Sequence, residues 1–506
     1  MTTDKLILRL KAIYDEMVQA EPFLEGLVAG IAPKYRPSAK NLYRYLILRS
    51  YDLRAIHDSL SELGLSALRT SESYVLSNLD QVLQNLYRIE GQHWDRNQDL
   101  DYIGLKKSKN LLRKHTKELF NRSNNKHRTE IMVTLPNEAA EDKDLLRDLI
   151  KAGMAIARIN LSHGDVAIWT KMIEHIRKLE KELNRMVKIY IDLAGPKIRT
   201  GDIEVLSKKG TIKSAISIKA GDRLLLSRWE TKGQNRESEK DGSDVRRKKV
   251  SVQLPQIIAD LKVGESVFFD DGMIRGQVVA KNADEVELEI TEAYKKKLAA
   301  RKGINLPDTR LNLPSLTEQD IALLPFVCAN ADIVGYSFVR TPEDVEILYQ
   351  ELAKYKRPDL GVVFKIENKE AFENLPLIML AGMKRKSIGV MIARGDLAVE
   401  IGFERISEVQ SQILWLCEAA HVPVIWATQV LDNLAKTGIP TRAEITDASI
   451  SAKAECVMLN KGPYIVDAVR TLKNIIIKME THSYKRKSAL RPLNVAVRAL
   501  QQFNIP

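Results

Sequence analysis

Two short apolar runs in this sequence end abruptly in charge. Gly361-Val-Val-Phe364 is followed by Lys365-Ile366-Glu367-Asn368, and Ile388-Gly-Val-Met-Ile392 by Ala393-Arg394-Gly395-Asp396. A parallel strand covered on both faces reads this way, apolar along its length and charged at its carboxyl end. Two carboxylates at two such ends, Glu367 and Asp396, can hold one Mg²⁺ between them. Hard cations take oxygen ligands, and Mg²⁺ uses one or two carboxylates together with substrate phosphates. Lys365 beside them is a mobile positive charge suited to a phosphoryl group. Surface loops with salt bridges would explain either segment alone; they explain the combination poorly.

Such residues need elements that bring their strand ends together. From Thr129 the chain alternates strands and helices. Candidate strands are Glu130–Thr134, Ala155–Ile159, Val187–Ile191, Asp332–Gly335, Val362–Ile366, Ile388–Ile392, Val424–Ala427 and Cys456–Leu459. Amphipathic stretches such as Asp165–Leu183 and Arg405–Ala420 separate them. Parallel strands alternating with helices in this number fit a TIM (β/α)8 barrel, whose chemistry sits at the carboxyl ends of its strands. The stretch from Thr200 to Arg301 is too long for one crossover helix. It is rich in turns and β pattern, and Val286-Glu-Leu-Glu-Ile290 alternates like a strand with one wet face. It reads as an inserted small β domain, with Trp229–Lys249 a flexible loop inside it. Residues 1–128 read as successive helices. Leu6, Leu8, Leu10, Ile13 and Met17 form a loose stripe; Tyr43 to Ile56 and Val75 to Leu86 supply two more. They predict a packing or oligomerisation element. The expected division is a helical extension over 1–128, a barrel over 129–199 and 302–483, a β insertion over 200–301, and a tail over 484–506.

Composition narrows the class. The chain has 506 residues and a net charge of +12, with 44% hydrophobic and 28% charged residues. No apolar run approaches the roughly 20 residues of a membrane span. The amino terminus shows no apolar signal core, so cytoplasm is the expected location. Cys328, Cys417 and Cys456 are widely spaced in apolar contexts and read as buried free thiols. Basic runs, including Lys106 to Arg128, suit anionic phosphate substrates by steering. Nucleic acid would also be drawn to them, but charge runs are mostly solvated faces, and it is not an expected partner.

Six motifs carry a family resemblance. FKIEN, MIARGDLAVEIG, PVIWATQVL, PTRAEITDAS, ARINLSHG (Ala157–Gly164) and DLAGPKIRTG (Asp192–Gly201) resemble the catalytic core of pyruvate kinases, in their order and spacing. The resemblance runs from about Thr129 to Met479. It implies an inserted lid, which VFFDDGMI also resembles, and glycolytic Mg²⁺-dependent (or Mn²⁺-dependent) transfer of phosphate from phosphoenolpyruvate to ADP. Glu367 and Asp396 match the family's metal ligands. Lys365 matches the lysine that stabilises the moving phosphoryl group and the enolate left behind. Arg158 matches the arginine that grips the substrate phosphate, and Arg199 the one near the nucleotide, with Asn160 and His163 on that side. Ala393, Arg394, Gly395 and Asp396 match the segment whose backbone holds the substrate carboxylate. Thr428 matches the residue near the carbon that gains a proton; a hydroxyl is too weak an acid alone, so a water relay is expected.

Asn160, Ser162, Asp192 and Leu193 match the family's monovalent-cation site. Many members carry glutamate before the Ile-Arg pair, where this chain has Lys197. An ammonium there can replace K⁺, with Asn160, Ser162 and Asp192 as its partners, so K⁺ is expected to be dispensable. The family's Gly-Glu-Thr-Ala after strand eight is missing, since Asn460 runs directly into Lys461-Gly462-Pro463. That departure leaves two rival readings: a weakly active paralogue with a binding role, and a Mg²⁺-dependent barrel lyase acting on phosphoenolpyruvate or pyruvate. The family's C-terminal effector domain has no counterpart in the sequence. A dimer is therefore expected over the family's common tetramer.

Overall fold

The computed structural model describes residues 1–120, 128–203, 205–206, 212–229, 247–482 and 492–503. Eight strands form a closed parallel barrel: β1 (Glu130–Thr134), β2 (Ile156–Asn160), β3 (Lys188–Asp192), β4 (Ile333–Tyr336), β5 (Gly361–Ile366), β6 (Ile388–Ala393), β7 (Val424–Ala427) and β8 (Cys456–Leu459). Each pairs with the next in sequence, and β8 closes on β1 with Cys456 opposite Glu130. Every expected strand is present within one residue at either end. The cause is burial on both faces: no position of β5 or β6 is exposed. The expected helices also form. Asp165 caps Val166–Leu183 by accepting from the Ile168 N–H at 3.0 Å, and the second helix runs Ile406–Ala419.

The barrel's amino end is closed by the N-terminal helices. Leu119 and Phe120, ending the helix Leu105–Phe120, join the inward side chains Met132, Ile156, Tyr190, Val363, Met391 and Ile425 in one core. Gly361 and Gly389, at the starts of β5 and β6, make room for them. A Cβ at either would meet a Leu119 methyl at 2.6 Å. Five further helices precede this one: Thr3–Gln19, Glu21–Val28, Arg36–Ser50, Arg54–Glu62 and Val75–Ile89. Their expected apolar stripes are buried, except at Leu8, which is 71% exposed. Leu8 lies two residues from both Leu6 and Leu10, on the opposite side of a helix with 3.6 residues per turn.

The insertion folds around its own core, with Val286, Leu288 and Ile290 on the dry face of the strand Glu285–Ala293. Its six-stranded sheet also takes in Ile304–Asn305. Of the expected loop Trp229–Lys249, residues 230–246 lie outside the described residues. Its last residues are not loop: Arg247–Ser251 is a strand paired parallel to Arg223–Ser227. In the tail, residues 483–491 lie outside the described residues. Beyond them the helix Asn494–Gln502, which periodicity had not revealed, packs on the helix Arg36–Ser50. The three cysteines are buried, and none is in a disulfide. No described helix is long and apolar enough to cross a membrane.

Candidate active site

At the carboxyl ends of the strands a cation–carboxylate network is already assembled. Asp192, the last residue of β3, is fully buried. It accepts from Arg158 Nε at 2.7 Å, and Arg158 Nη1 donates to Thr134 Oγ1 at 2.9 Å. Lys365 Nζ lies 3.0 Å from Glu367 Oε1 and 3.5 Å from Asp192 Oδ2, and donates to Ser337 Oγ at 2.7 Å. The other Glu367 oxygen accepts from the Phe338 N–H at 2.7 Å.

Burial and pairing oppose each other here. Burial alone would push the Asp192 carboxyl up, but Arg158 and Lys365 outweigh it and hold that carboxyl below its ordinary value. Burial disfavours the Lys365 ammonium, yet Asp192 and Glu367 overcome this and raise it. Glu367 ends above the usual carboxylate range, chiefly by burial and then by the nearby Asp396 charge, against the pull of Lys365. A buried carboxylate whose charge is disfavoured, with a second carboxylate nearby, is a fitting oxygen donor for a hard cation. Among the described residues no cluster of three or more His, Cys, Asp or Glu could hold a metal. An ion here would take two protein carboxylates and complete its shell with substrate oxygens.

A cavity of about 1250 Å³ opens above this network. It is lined by Arg158, Asn160, Ser162, His163, Leu193, Lys197, Arg199, Lys365, Glu367, Thr428 and the segment Ala393–Asp396. Of the candidates read from sequence, only Asp192 is absent from the lining; it lies beneath, holding Arg158 and Lys365. The insertion contributes Asp270, Asp271, Met273 and Lys295 to the opposite wall.

One placement differs from expectation. Lys197 points inward but does not join Asn160, Ser162 and Asp192: its Nζ sits 2.9 and 3.0 Å from the two oxygens of Asp396. The loop leaving β3 carries it across the cavity toward β6, while Asn160 Oδ1 accepts from the Ser162 N–H at 3.1 Å and Asp192 serves Arg158. Arg394 lines the cavity, but its guanidinium is committed to Asp447 at 2.6 and 2.8 Å and lies over the Trp426 ring at 4.9 Å. What this segment offers an anion is the start of the helix Arg394–Ile401, with Gly395 close against Thr428. His163 is neutral-leaning, lowered by burial and by the charges of Lys461, Arg199 and Arg158.

Thr428 has φ +71° and Gln429 +56°. A β-branched residue in the left-handed region is strained, and such strain persists where the surroundings enforce it, often at functional positions.

Sequence reading missed several partners. Ser337 directly follows β4 and Thr134 ends β1, so both carry the polar strand-end signal that marked the others. Asn305 and Glu400 carry none. Asn305 Nδ2 donates to Glu400 Oε1 at 3.0 Å, and burial lifts the Glu400 carboxyl to about 7, with Asp396 adding to the rise. The connection after β8 is drawn tight: a Cβ on Gly462 would sit 2.3 Å from the Ala435 carbonyl oxygen.

Both the sequence and the fold have known relatives. The model of the pyruvate kinase barrel domain matches residues 126–469. The pyruvate kinase of Geobacillus stearothermophilus is 34% identical over 362 residues, covering 70% of this chain and 57% of its own. That of Staphylococcus aureus (strain USA300) is 34% identical over 367 residues, covering 71% and 58%. The chain thus spans less than two thirds of the length of these curated relatives. The crystal structure of a pyruvate kinase from Cryptosporidium parvum superposes with a TM-score of 0.60 at 27% identity, covering 73% of this chain and 71% of that one.

Proposed function

The chain belongs to the pyruvate kinase family, and from that premise we propose that it transfers the phosphoryl group of phosphoenolpyruvate to ADP, giving pyruvate and ATP. The observation that carries this reading is the buried Lys365 ammonium. It is fixed between Asp192, Glu367 and Ser337 at the floor of a large cavity. Phosphoryl transfer demands positioning and fixed positive charge more than covalent chemistry. A preorganised cation acts most strongly where water is excluded.

Each remaining demand has a candidate. Arg158, locked by Asp192 and Thr134, would hold the phosphate of phosphoenolpyruvate. The backbone at Ala393–Asp396 would hold its carboxylate, and Arg199, Asn160 and His163 face the nucleotide side. Glu367 and Asp396 would hold a divalent cation, Mg²⁺ or Mn²⁺, which supplies charge neutralisation on the phosphate oxygens. In the transfer, the enol oxygen–phosphorus bond breaks as the bond to the ADP oxygen forms. The enolate left behind is stabilised by Lys365 and takes a proton at its methylene carbon from water ordered at Thr428.

A coupled assay for pyruvate, run with and without ADP, tests the proposal. Pyruvate should form only with both ADP and a divalent cation. Lys365→Met should cut turnover on the order of 10²–10³-fold, like removal of one oxyanion donor, while phosphoenolpyruvate still binds. Pyruvate made without ADP would replace the kinase reading with a lyase or phosphatase.

A further inference from the structure

The C-terminal helix Asn494–Gln502 touches both supports of Glu367. On one side the N-terminal helices anchor it. Val495, Ala496 and Ala499 are buried, the Leu493 N–H donates to the Arg49 carbonyl at 3.0 Å, and the Phe503 ring meets Tyr43 at 5.2 Å. On the other side Arg498 pairs with Glu373, and Gln502 Nε2 donates to Asn374 Oδ1 at 3.3 Å.

Glu373 ends the short helix Lys369–Glu373, whose cap is Asn368, the residue after Glu367. Asn374 in turn donates from Nδ2 to the Arg340 carbonyl at 2.9 Å. Arg340 stands two residues beyond Phe338, whose N–H holds the Glu367 carboxylate. One surface helix therefore steadies the covalent support of Glu367 and its hydrogen-bonded support together. The steadying matters because packing does not hold this helix on every side. Ala371 and Phe372 bury one face, but Lys369, Glu370, Glu373 and Asn374 border a second cavity of about 400 Å³. Arg498 and Gln502 line the same cavity, as do Glu367 and Asp396.

We infer that Arg498 is a positioning residue: through Glu373 it holds the Glu367 carboxylate in register for a divalent cation and couples it to the N-terminal helices. This rests on the reading of Glu367 as a cation ligand. The ion pair is half-exposed, so its effect is modest. Exposed pairs are worth at most about 1 kcal/mol, roughly a five-fold change in an equilibrium.

The test uses the full chain with Mn²⁺ as probe, free Mn²⁺ being counted by its paramagnetic resonance signal. Arg498→Ala should raise the Mn²⁺ dissociation constant roughly two- to five-fold and speed hydrogen exchange at the Phe372 and Asn374 amides, with no change in Tm. The exchanged pair, Arg498→Glu with Glu373→Arg, should restore both. A merely structural contact would lower Tm and leave Mn²⁺ affinity alone, and that result overturns the inference. So does unchanged amide exchange. If the unmodified chain binds no Mn²⁺, the reading of Glu367 falls and the brace with it. If it binds and Arg498→Ala binds equally, only the brace falls.

Discussion

The Lys197 ammonium lies across both oxygens of Asp396, at 2.9 and 3.0 Å. The two residues are 199 positions apart in sequence, and the contact joins the loop after β3 to the start of the helix after β6. It places a fixed positive charge on a carboxylate proposed to hold a metal. Lys197 and a divalent cation then compete for Asp396.

The first prediction follows from that competition. Lys197→Met should tighten Mn²⁺ binding, roughly two- to five-fold by the usual worth of a partly exposed ion pair. It should also lower turnover, because the site loses a cation beside the phosphate. Direct Mn²⁺ titration measures the first effect and the pyruvate assay the second. Weaker Mn²⁺ binding in the variant would mean that Lys197 supports the site rather than competes for it.

A second prediction concerns two histidines between the N-terminal helices and the barrel. His421 Nδ1 lies 3.0 Å from Ser38 Oγ and its Nε2 2.9 Å from the Ser73 carbonyl; His115 Nδ1 lies 2.8 Å from the His421 carbonyl. Burial pushes His421 down to about 3 and His115 to about 4, and both are held neutral. Around His115, Lys34 and Lys114 add to the shift while Glu118 opposes it. The unfolded chain binds these protons near pH 6.5 and the folded chain does not. Their stabilising neutrality is therefore complete above about pH 6.5 and is lost progressively as pH falls toward 4. The slope is at most about 1.4 kcal/mol per pH unit for each histidine. Urea midpoints at pH 7, 6 and 5 should fall in order, and His421→Gln should flatten the trend. A flat profile in the unmodified chain would contradict it.

A third prediction tests the plug at the base of the barrel. Gly389→Ala drives a methyl into Leu119, and overpacking of this kind costs about 1–3 kcal/mol. Tm should drop. Leu119→Ala in the same chain should recover part of the loss, because it removes the atoms that clash. No recovery would show that Leu119 is not what Gly389 accommodates.

The sequence alone determined the barrel strands, because residues buried on both faces must be apolar through a short run and turn polar where the run leaves the core. It also brought out much of the cavity's charged lining, since the candidate side chains sit at those turning points; Lys365, Glu367 and Asp396 could be named from their places at strand ends. Local pattern stops at the element, however. That Lys197 would meet Asp396 and not Asn160 depends on how far a loop reaches across the barrel mouth. That Leu119 would close the barrel floor depends on two glycines far away in the chain, each without side-chain bulk for a reason no window of sequence contains. Asn305 and Arg498 show no periodicity or motif of their own, and Glu400, though inside MIARGDLAVEIG, stands away from the strand end that marked Asp396. Their roles arise from neighbours brought close by the closure of the barrel and the docking of the terminal helices, and only the tertiary structure decides those distances.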